Sequence, residues 1–142
     1  MVEDANCIFC KIVAGEIPSI NVYENEHVLA FMDINPVSTG HVLAIPKGHW
    51  SDLYAMPDEQ LGFVAASVRR VAHSVRNALK PDGVSITQAN GTGAAQSVLH
   101  YHVHIVPRTI GDDLKINWDL EPGDMKVITA VAQRIRLQLR PM

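Results

Sequence analysis

Three histidines at every second position constrain the local fold of this chain more than any other feature of its sequence. His100, His102 and His104 stand in the segment VLHYHVHIVP, where they alternate with apolar or aromatic residues. Because side chains of a β-strand point alternately to its two faces, this period of two predicts a strand with all three histidines on one face. Tyr101 and Val103 share the opposite face, which we expect to be the buried one.

Four other segments are rich in apolar residues and end at turn-forming residues, so the sequence predicts five strands. These are residues 20–23, 28–34, 42–45, 84–89 and 98–106. Asn25 and Glu26 form a tight turn between the first two strands, while Pro46 and Pro107 end the third and the fifth.

Two segments have the three- and four-residue spacing of amphipathic helices. The first begins near Pro57, with Asp58 and Glu59 in its first turn, where carboxylates favour a helix N-terminus. Its apolar stripe consists of Leu61, Val64, Ala65, Val68, Val71, Ala72, Val75 and Leu79. The second begins at about Asp124, and its stripe consists of Ile128, Val131, Ala132, Ile135 and Leu139. The early hairpin and the lack of regular strand–helix alternation favour an α+β fold with an antiparallel sheet over a doubly wound one.

Length and charge narrow the function classes. A chain of 142 residues suits one domain, with a net charge of −3 that argues against a nucleic-acid groove. No apolar run approaches the roughly 20 residues of a membrane span. The acidic start MVEDANC has no signal-like apolar segment, so we expect a cytoplasmic protein with no membrane partner.

The spacing of the histidines bears on their chemistry. At about 3.3 Å per residue, neighbouring histidines on one face of a strand stand about 6.5–7 Å apart. One zinc ion with bonds of about 2.0–2.1 Å cannot easily take all three from a straight strand. The preceding loop NGTGAAQS offers many backbone N–H groups, which suit a phosphate. Neutral imidazole beside such a loop indicates nucleophilic or acid–base chemistry at phosphorus.

Three segments carry a family resemblance. QSVLHYHVH fits the pattern H-x-H-x-H-x-x, with apolar x, of the histidine triad (HIT) family of nucleotide hydrolases and transferases. AFMDINPVSTGHVLAIPKGH resembles the upstream segment of that family, and CIFCKIVAGEIPS resembles its bacterial-type beginning. The resemblance covers most of residues 7–108. It implies a single HIT domain over residues 1–142, with an antiparallel sheet of about five strands and two helices, and a homodimer with a joined ten-stranded sheet.

The resemblance also implies roles for individual residues. His102 would be the nucleophile that attacks the α-phosphorus and forms a nucleotidyl-histidine, while its other ring nitrogen donates to a backbone carbonyl. His104 would stabilise the charge that develops on the phosphate. Ser97 would contact the phosphate or the leaving group. His41 would support the triad by hydrogen bonding, although an ordinary structural histidine is an equal alternative.

A nucleotide is the ligand that the resemblance implies. Asp33 and Ile34 match the positions that grip the ribose hydroxyls and flank the base, and Asn90 and Gln96 match those that hold phosphate oxygens. Ser97 follows Gln96, as in the phosphoramidase branch, so we expect hydrolysis of a purine nucleoside phosphoramidate that releases AMP. Dinucleoside polyphosphate hydrolysis is the alternative, and a nucleotide-binding regulatory module with little turnover is another. No organic cofactor is expected.

The pair Cys7-x-x-Cys10 is a weak signal alone, because burial or chance explains many such pairs. The resemblance completes it with His49 and His100 as a four-ligand zinc site that ties the N-terminal segment to the sheet. Four protein ligands leave no open position, so such a zinc would be structural. A zinc-dependent interaction protein is the corresponding alternative.

We also consider two further residues near the predicted site. Arg108 either reaches outer phosphates of a longer substrate or is solvated, and Trp118 receives no role.

Overall fold

The computed structural model describes residues 3–139. The chain separates into two compact units, Met1–Asp112 and Asp113–Met142, which we describe one at a time. The first unit contains two helices and five strands: α1 (Ile8–Val13), β1 (Asn21–Glu24), β2 (Val28–Met32), β3 (Val42–Pro46), α2 (Asp58–Leu79), β4 (Gly83–Thr87) and β5 (Val103–Arg108). The second unit contains α3 (Met125–Leu137).

The five strands form one sheet in the order β1-β2-β3-β5-β4, and every neighbouring pair is antiparallel. This confirms the α+β fold and the five-stranded antiparallel sheet. Residues 3–139 contain three α-helices where two were expected, since α1 was not predicted. With only six residues, α1 is too short to show a helical stripe in the sequence.

Both faces of the sheet are covered in the first unit. On one face, Val64, Val68, Val71 and Val75 of α2 pack on a core cluster that includes alternate residues of β2, β3 and β5. On the other face, α1 contributes to a second cluster, which consists of Cys7, Phe9, Cys10, Leu29, Phe31, Leu43 and Ile45. Burial on both faces explains why β2 and β3 have continuous apolar runs instead of an alternating pattern.

The fifth strand is shorter and shifted relative to its prediction. It begins at Val103, so His100 and His102 precede it and only His104 lies within it. Pro107 lies inside the strand instead of ending it. The pairing of β5 with β3 stops at Ile105, so Pro107 pairs only with β4. Because no strand within residues 3–139 pairs with it on its other side, the N–H that proline lacks is not needed there.

The histidine side of this segment is also more buried than expected. His100 is 0% exposed and His102 is 5% exposed, although the opposite face, with Tyr101 and Val103, is buried as predicted. Phe9 of α1 packs on the rings of both histidines. The unpredicted helix is therefore the reason why this face is not open to solvent.

Two residues of the predicted α2 stripe are exposed. Ala65 and Leu79 face solvent, whereas Ser67 is buried among the valines.

In the second unit, Asp124 caps α3 by accepting from the Lys126 N–H at 2.8 Å, as its position at the predicted start suggests. No helix within residues 3–139 is long and apolar enough to cross a bilayer. The assignment of all 142 residues to one domain stays a prediction.

Lys80 ends α2 in a left-handed conformation, with φ 48° and ψ 51°. A β-carbon is disfavoured in this region, and glycine is the usual residue at such a cap. We predict that Lys80→Gly raises the free energy of unfolding by about 0.5–1 kcal/mol, after allowance for the greater freedom of glycine in the unfolded chain. Unfolding of the wild type and the variant by denaturant measures this difference in free energy. Lys80→Ala, which keeps the β-carbon, is the control, and an equal gain in both variants would contradict the prediction.

Candidate active site and metal centre

The ring of His102 is held by the backbone of its own segment. Its Nδ1 lies 2.7 Å from the carbonyl oxygen of His100, within hydrogen-bond distance. A carbonyl only accepts, so Nδ1 carries the proton and Nε2 has a free lone pair. The bond to a backbone carbonyl is the one that the sequence led us to expect. The His100 carbonyl is free of the sheet because ladder pairing begins only at Val103.

His104 and His41 form a second hydrogen-bonded pair, with His104 Nδ1 2.9 Å from His41 Nε2. The Val37 N–H donates to His41 Nδ1 at 3.2 Å, so the proton of the neutral His41 ring is on Nε2. His41 therefore donates to His104 Nδ1, which leaves the proton of His104 on Nε2. The bond from His41 thus makes His104 a hydrogen-bond donor at Nε2, whereas the bond to the His100 carbonyl leaves a lone pair on Nε2 of His102.

Burial favours the neutral form of all three rings. It lowers the pKa of His41 and of His102, although the nearby Asp33 carboxylate opposes this effect at both. Burial, aided by the neighbouring His102 and His41, lowers the pKa of His104 to about 4. At neutral pH these rings therefore keep the lone pairs and single protons that the hydrogen bonds assign to them.

Asp33 and Ile34 lie directly after β2. Asp33 Oδ2 is 3.5 Å from His41 Nε2, and Asp33 Oδ1 accepts from the Asn35 N–H at 2.8 Å. Ile34 is 83% exposed. A carboxylate beside the histidines and an exposed apolar side chain next to it suit a ligand with hydroxyls and a flat apolar part.

Gln96 is placed differently from its expected role at the phosphate. Its side chain is buried, its Oε1 accepts from the Gly91 N–H at 2.8 Å, and its Nε2 donates to the carbonyls of Ser51 and Val98 at 2.6 and 3.1 Å. Both amide hydrogens are therefore used within the protein. In this arrangement Gln96 fixes the shape of the loop and has no donor left for a phosphate.

Asn90 and Ser97 retain some capacity for a ligand. Asn90 Oδ1 accepts from the Leu53 N–H at 2.8 Å, and its Nδ2 gives one hydrogen to Gln88 Oε1 at 2.9 Å, which leaves one N–H. Ser97 is exposed. Fewer backbone donors are available than the loop sequence suggested, because the N–H groups of residues 91 and 94–96 bond within the loop.

The four predicted metal ligands converge. His100 Nδ1 is 3.4 Å from Cys7 Sγ, 3.6 Å from Cys10 Sγ and 3.3 Å from His49 Nδ1, while Cys10 Sγ is 3.4 Å from His49 Nδ1. A tetrahedral zinc with usual bond lengths requires nitrogens about 3.3–3.4 Å apart and nitrogen–sulfur distances of about 3.5–3.6 Å. The four side chains can therefore hold a metal ion without rearrangement.

Protonation supports the same interpretation. His100 Nε2 lies 2.9 Å from the Pro46 carbonyl, so it carries the proton and Nδ1 directs its lone pair at the cluster. Burial raises the pKa of the Cys10 thiol to about 11, so a thiolate here needs a cation beside it.

A second group of possible ligands, Asp33, His41 and His104, also clusters. It does not suit a metal, because the Val37 N–H fixes a proton on His41 Nε2, where a metal would need a lone pair.

Two cationic side chains of the first unit form ion pairs. Arg108 makes two bonds to Asp112, at 2.6 and 2.8 Å, and Lys47 Nζ lies 2.7 Å from Glu24. Trp118 belongs to the second unit and is 81% exposed. The sequence interpretation missed Phe9, whose flanking Cys7 and Cys10 were the available signal that this segment returns to the histidines.

Comparison with known proteins agrees with the fold and the site. The family model described as the HIT domain matches residues 14–110, more than half of the chain. The adenosine 5'-monophosphoramidase of Candida albicans is 33% identical over 144 residues, which covers 98% of this chain and 95% of that protein.

Two solved structures are similar over nearly the whole chain. A HIT protein from Bacillus subtilis has a TM-score of 0.88 at 41% identity, with 96% of this chain and 99% of that chain covered. A zinc-bound histidine triad protein from Mycobacterium smegmatis has a TM-score of 0.74 at 39% identity, with 93% and 97% covered. The chain therefore belongs to the HIT family, named for its histidine triad.

Proposed function

We propose that this protein is a hydrolase that releases a nucleoside monophosphate, AMP, from an amine leaving group. The hydrogen bond from His102 Nδ1 to the His100 carbonyl carries the proposal, because it leaves the Nε2 lone pair free to attack. In the first step a bond forms between Nε2 and the α-phosphorus, and the phosphorus–nitrogen bond to the leaving group breaks. In the second step water displaces His102 and releases the monophosphate.

The neighbouring side chains supply the rest of the chemistry. His104 donates its Nε2–H to a non-bridging oxygen, where negative charge develops in the transition state. His41 holds His104 in the tautomer that makes this possible. Ser97 is exposed at the end of the loop, and its hydroxyl can donate a hydrogen bond to the departing nitrogen, while water supplies the proton that the amine takes up. Asp33 accepts from the ribose hydroxyls, and Ile34 contacts the base.

The phosphoramidate class has two supports. The Candida albicans relative is an adenosine 5'-monophosphoramidase. Arg108, the cation that we considered for the outer phosphates of a polyphosphate, is already paired with Asp112, and Lys47 is paired with Glu24. Dinucleoside polyphosphate hydrolysis is therefore the second candidate, and a binding module without turnover is the third.

We predict that His102→Ala lowers kcat on an adenosine phosphoramidate by at least about a thousandfold, because it removes the group that forms the covalent bond. In the wild type, rapid quenching followed by peptide mass measurement should find AMP on the peptide that contains His102. His73→Ala, an exposed histidine of α2, is the control and should keep full activity.

Diadenosine tetraphosphate, assayed beside the phosphoramidate, separates the candidate functions. A higher kcat/KM on the tetraphosphate would favour the second candidate, and nucleotide binding without turnover of either compound would favour the third. Full activity of His102→Ala would refute the nucleophile.

We further propose that the cluster of Cys7, Cys10, His49 and His100 holds a structural zinc ion. Its geometry fits a closed tetrahedral site, and the Mycobacterium smegmatis relative is zinc-bound. The metal stabilises the thiolates and ties α1 to β3 and to the histidine segment. Reduced cysteines in such a site suit the cytoplasm, where we place the protein.

Metal analysis after mild purification should find about one zinc per wild-type chain, whereas Cys7→Ser should retain little, because a hydroxyl is a poor replacement for a thiolate ligand. Cys7→Ser should also unfold at a lower temperature, and a chelator should lower the wild-type midpoint towards that of the variant. His73→Ala again serves as the control. Equal zinc in wild type and Cys7→Ser would rule the site out.

We also propose a homodimer in which the two sheets join. β4 is an edge strand, Ile86 on it is 49% exposed, and α2 contacts β4. Sedimentation equilibrium should give twice the mass of one chain. Ile86→Glu should shift the equilibrium towards monomer, since it places a charge where an apolar side chain would be buried. A wild type that stays monomeric at all concentrations would contradict this arrangement.

A further inference from the structure

We propose that Phe9 is a positioning residue for His102, through which the short helix with the two cysteine ligands sets the orientation of the nucleophile. The inference rests on the proposed function, in which His102 attacks phosphorus. Phe9 lies in α1, between Cys7 and Cys10, and is 6% exposed.

The Phe9 ring packs edge-to-face against three other rings. Its centroid is 5.2 Å from that of His102 at an interplanar angle of 84°, and 5.8 Å from that of His100 at 76°. It also packs on Phe31, at 5.6 Å and 71°. Edge-to-face pairs at such separations are favourable and have a defined geometry, so they restrict how the partner rings can turn.

A hydrogen bond alone does not define the plane of the His102 ring. The bond to the His100 carbonyl fixes the position of Nδ1, but the ring can still tilt about that contact. Packing of Phe9 against the same ring removes this freedom and directs Nε2 along one line. Because displacement depends on alignment of the attacking atom with phosphorus, a small tilt costs rate.

The helix that carries Phe9 depends on its anchors. A helix of six residues is not stable in isolation, because nucleation is unfavourable and few bonds repay it. Cys7 and Cys10 hold it on both sides of Phe9, next to His49 and His100. His100 also supplies the carbonyl that binds His102. The metal centre and the nucleophile are therefore joined by two short routes, one through Phe9 and one through the His100 backbone.

Phe9→Leu tests the proposal, with Phe31→Leu as the matched control. Phe31 is equally buried and packs on Phe9, but no ring contact joins it to His102 within residues 3–139. We expect Phe9→Leu to lower kcat about tenfold while KM changes by less than about twofold and zinc content is unchanged. Phe31→Leu should lower kcat much less, and Phe9→Tyr, which keeps the ring, should restore most of it.

Long-range ¹H–¹⁵N spectra of the histidine rings give a readout independent of turnover. The wild type should show one sharp set of His102 ring signals, whereas in Phe9→Leu the Nδ1–H tautomer should persist and the signals should broaden through exchange between ring orientations. Cys10→Ser should have the same effect, and the effects of the two substitutions on kcat should be less than additive, because one of the two routes from the metal centre to His102 runs through Phe9.

Several outcomes would overturn the proposal. Wild-type kcat and spectra in Phe9→Leu would show that the ring contact positions nothing. A raised KM with unchanged kcat would make Phe9 a substrate contact instead. If His102→Ala remained fully active, the proposed function would fail, yet the spectra would still decide whether Phe9 orients the His102 ring.

Discussion

His100 is the residue on which the rest of the site depends. Its ring is completely buried, with Nε2 bonded to the Pro46 carbonyl and Nδ1 directed at Cys7, Cys10 and His49. Its own carbonyl holds the ring of His102. A single residue thus joins β3, the N-terminal helix and His102. Burial lowers the pKa of His100 to about 4, so the ring stays neutral and its lone pair remains available to a metal.

Burying so many histidines is tolerable because each has a specific partner. Within the part of the chain that the structure describes, no fully buried side-chain nitrogen or oxygen lacks a hydrogen bond. The partners are chiefly backbone groups, such as the His100 carbonyl and the Val37 N–H. Backbone partners fix the tautomers of His41, His100 and His102 independently of the solvent, and His41 in turn fixes that of His104. The triad is therefore an ordered set of donors and acceptors before any ligand binds.

The sequence predicted those parts of the molecule that follow from periodicity or from a family pattern. The long helix, the antiparallel sheet and the hydrogen bond of His102 belong to this group. It did not predict α1, because six residues show no period, nor the burial of the histidine face, which depends on contacts between distant segments. The use of both Gln96 amide hydrogens by the carbonyls of Ser51 and Val98 is likewise a tertiary contact that no local pattern reveals.

The loop before the histidines has one more consequence. Its N–H groups at Gly91 and at residues 94–96 bond internally, and Ala95 adopts a left-handed conformation with φ 61°. Such a loop has little conformational entropy left to lose when a ligand binds. Association should then be governed by diffusion and desolvation rather than by loop closure, and ligand-free and ligand-bound loops should superimpose closely.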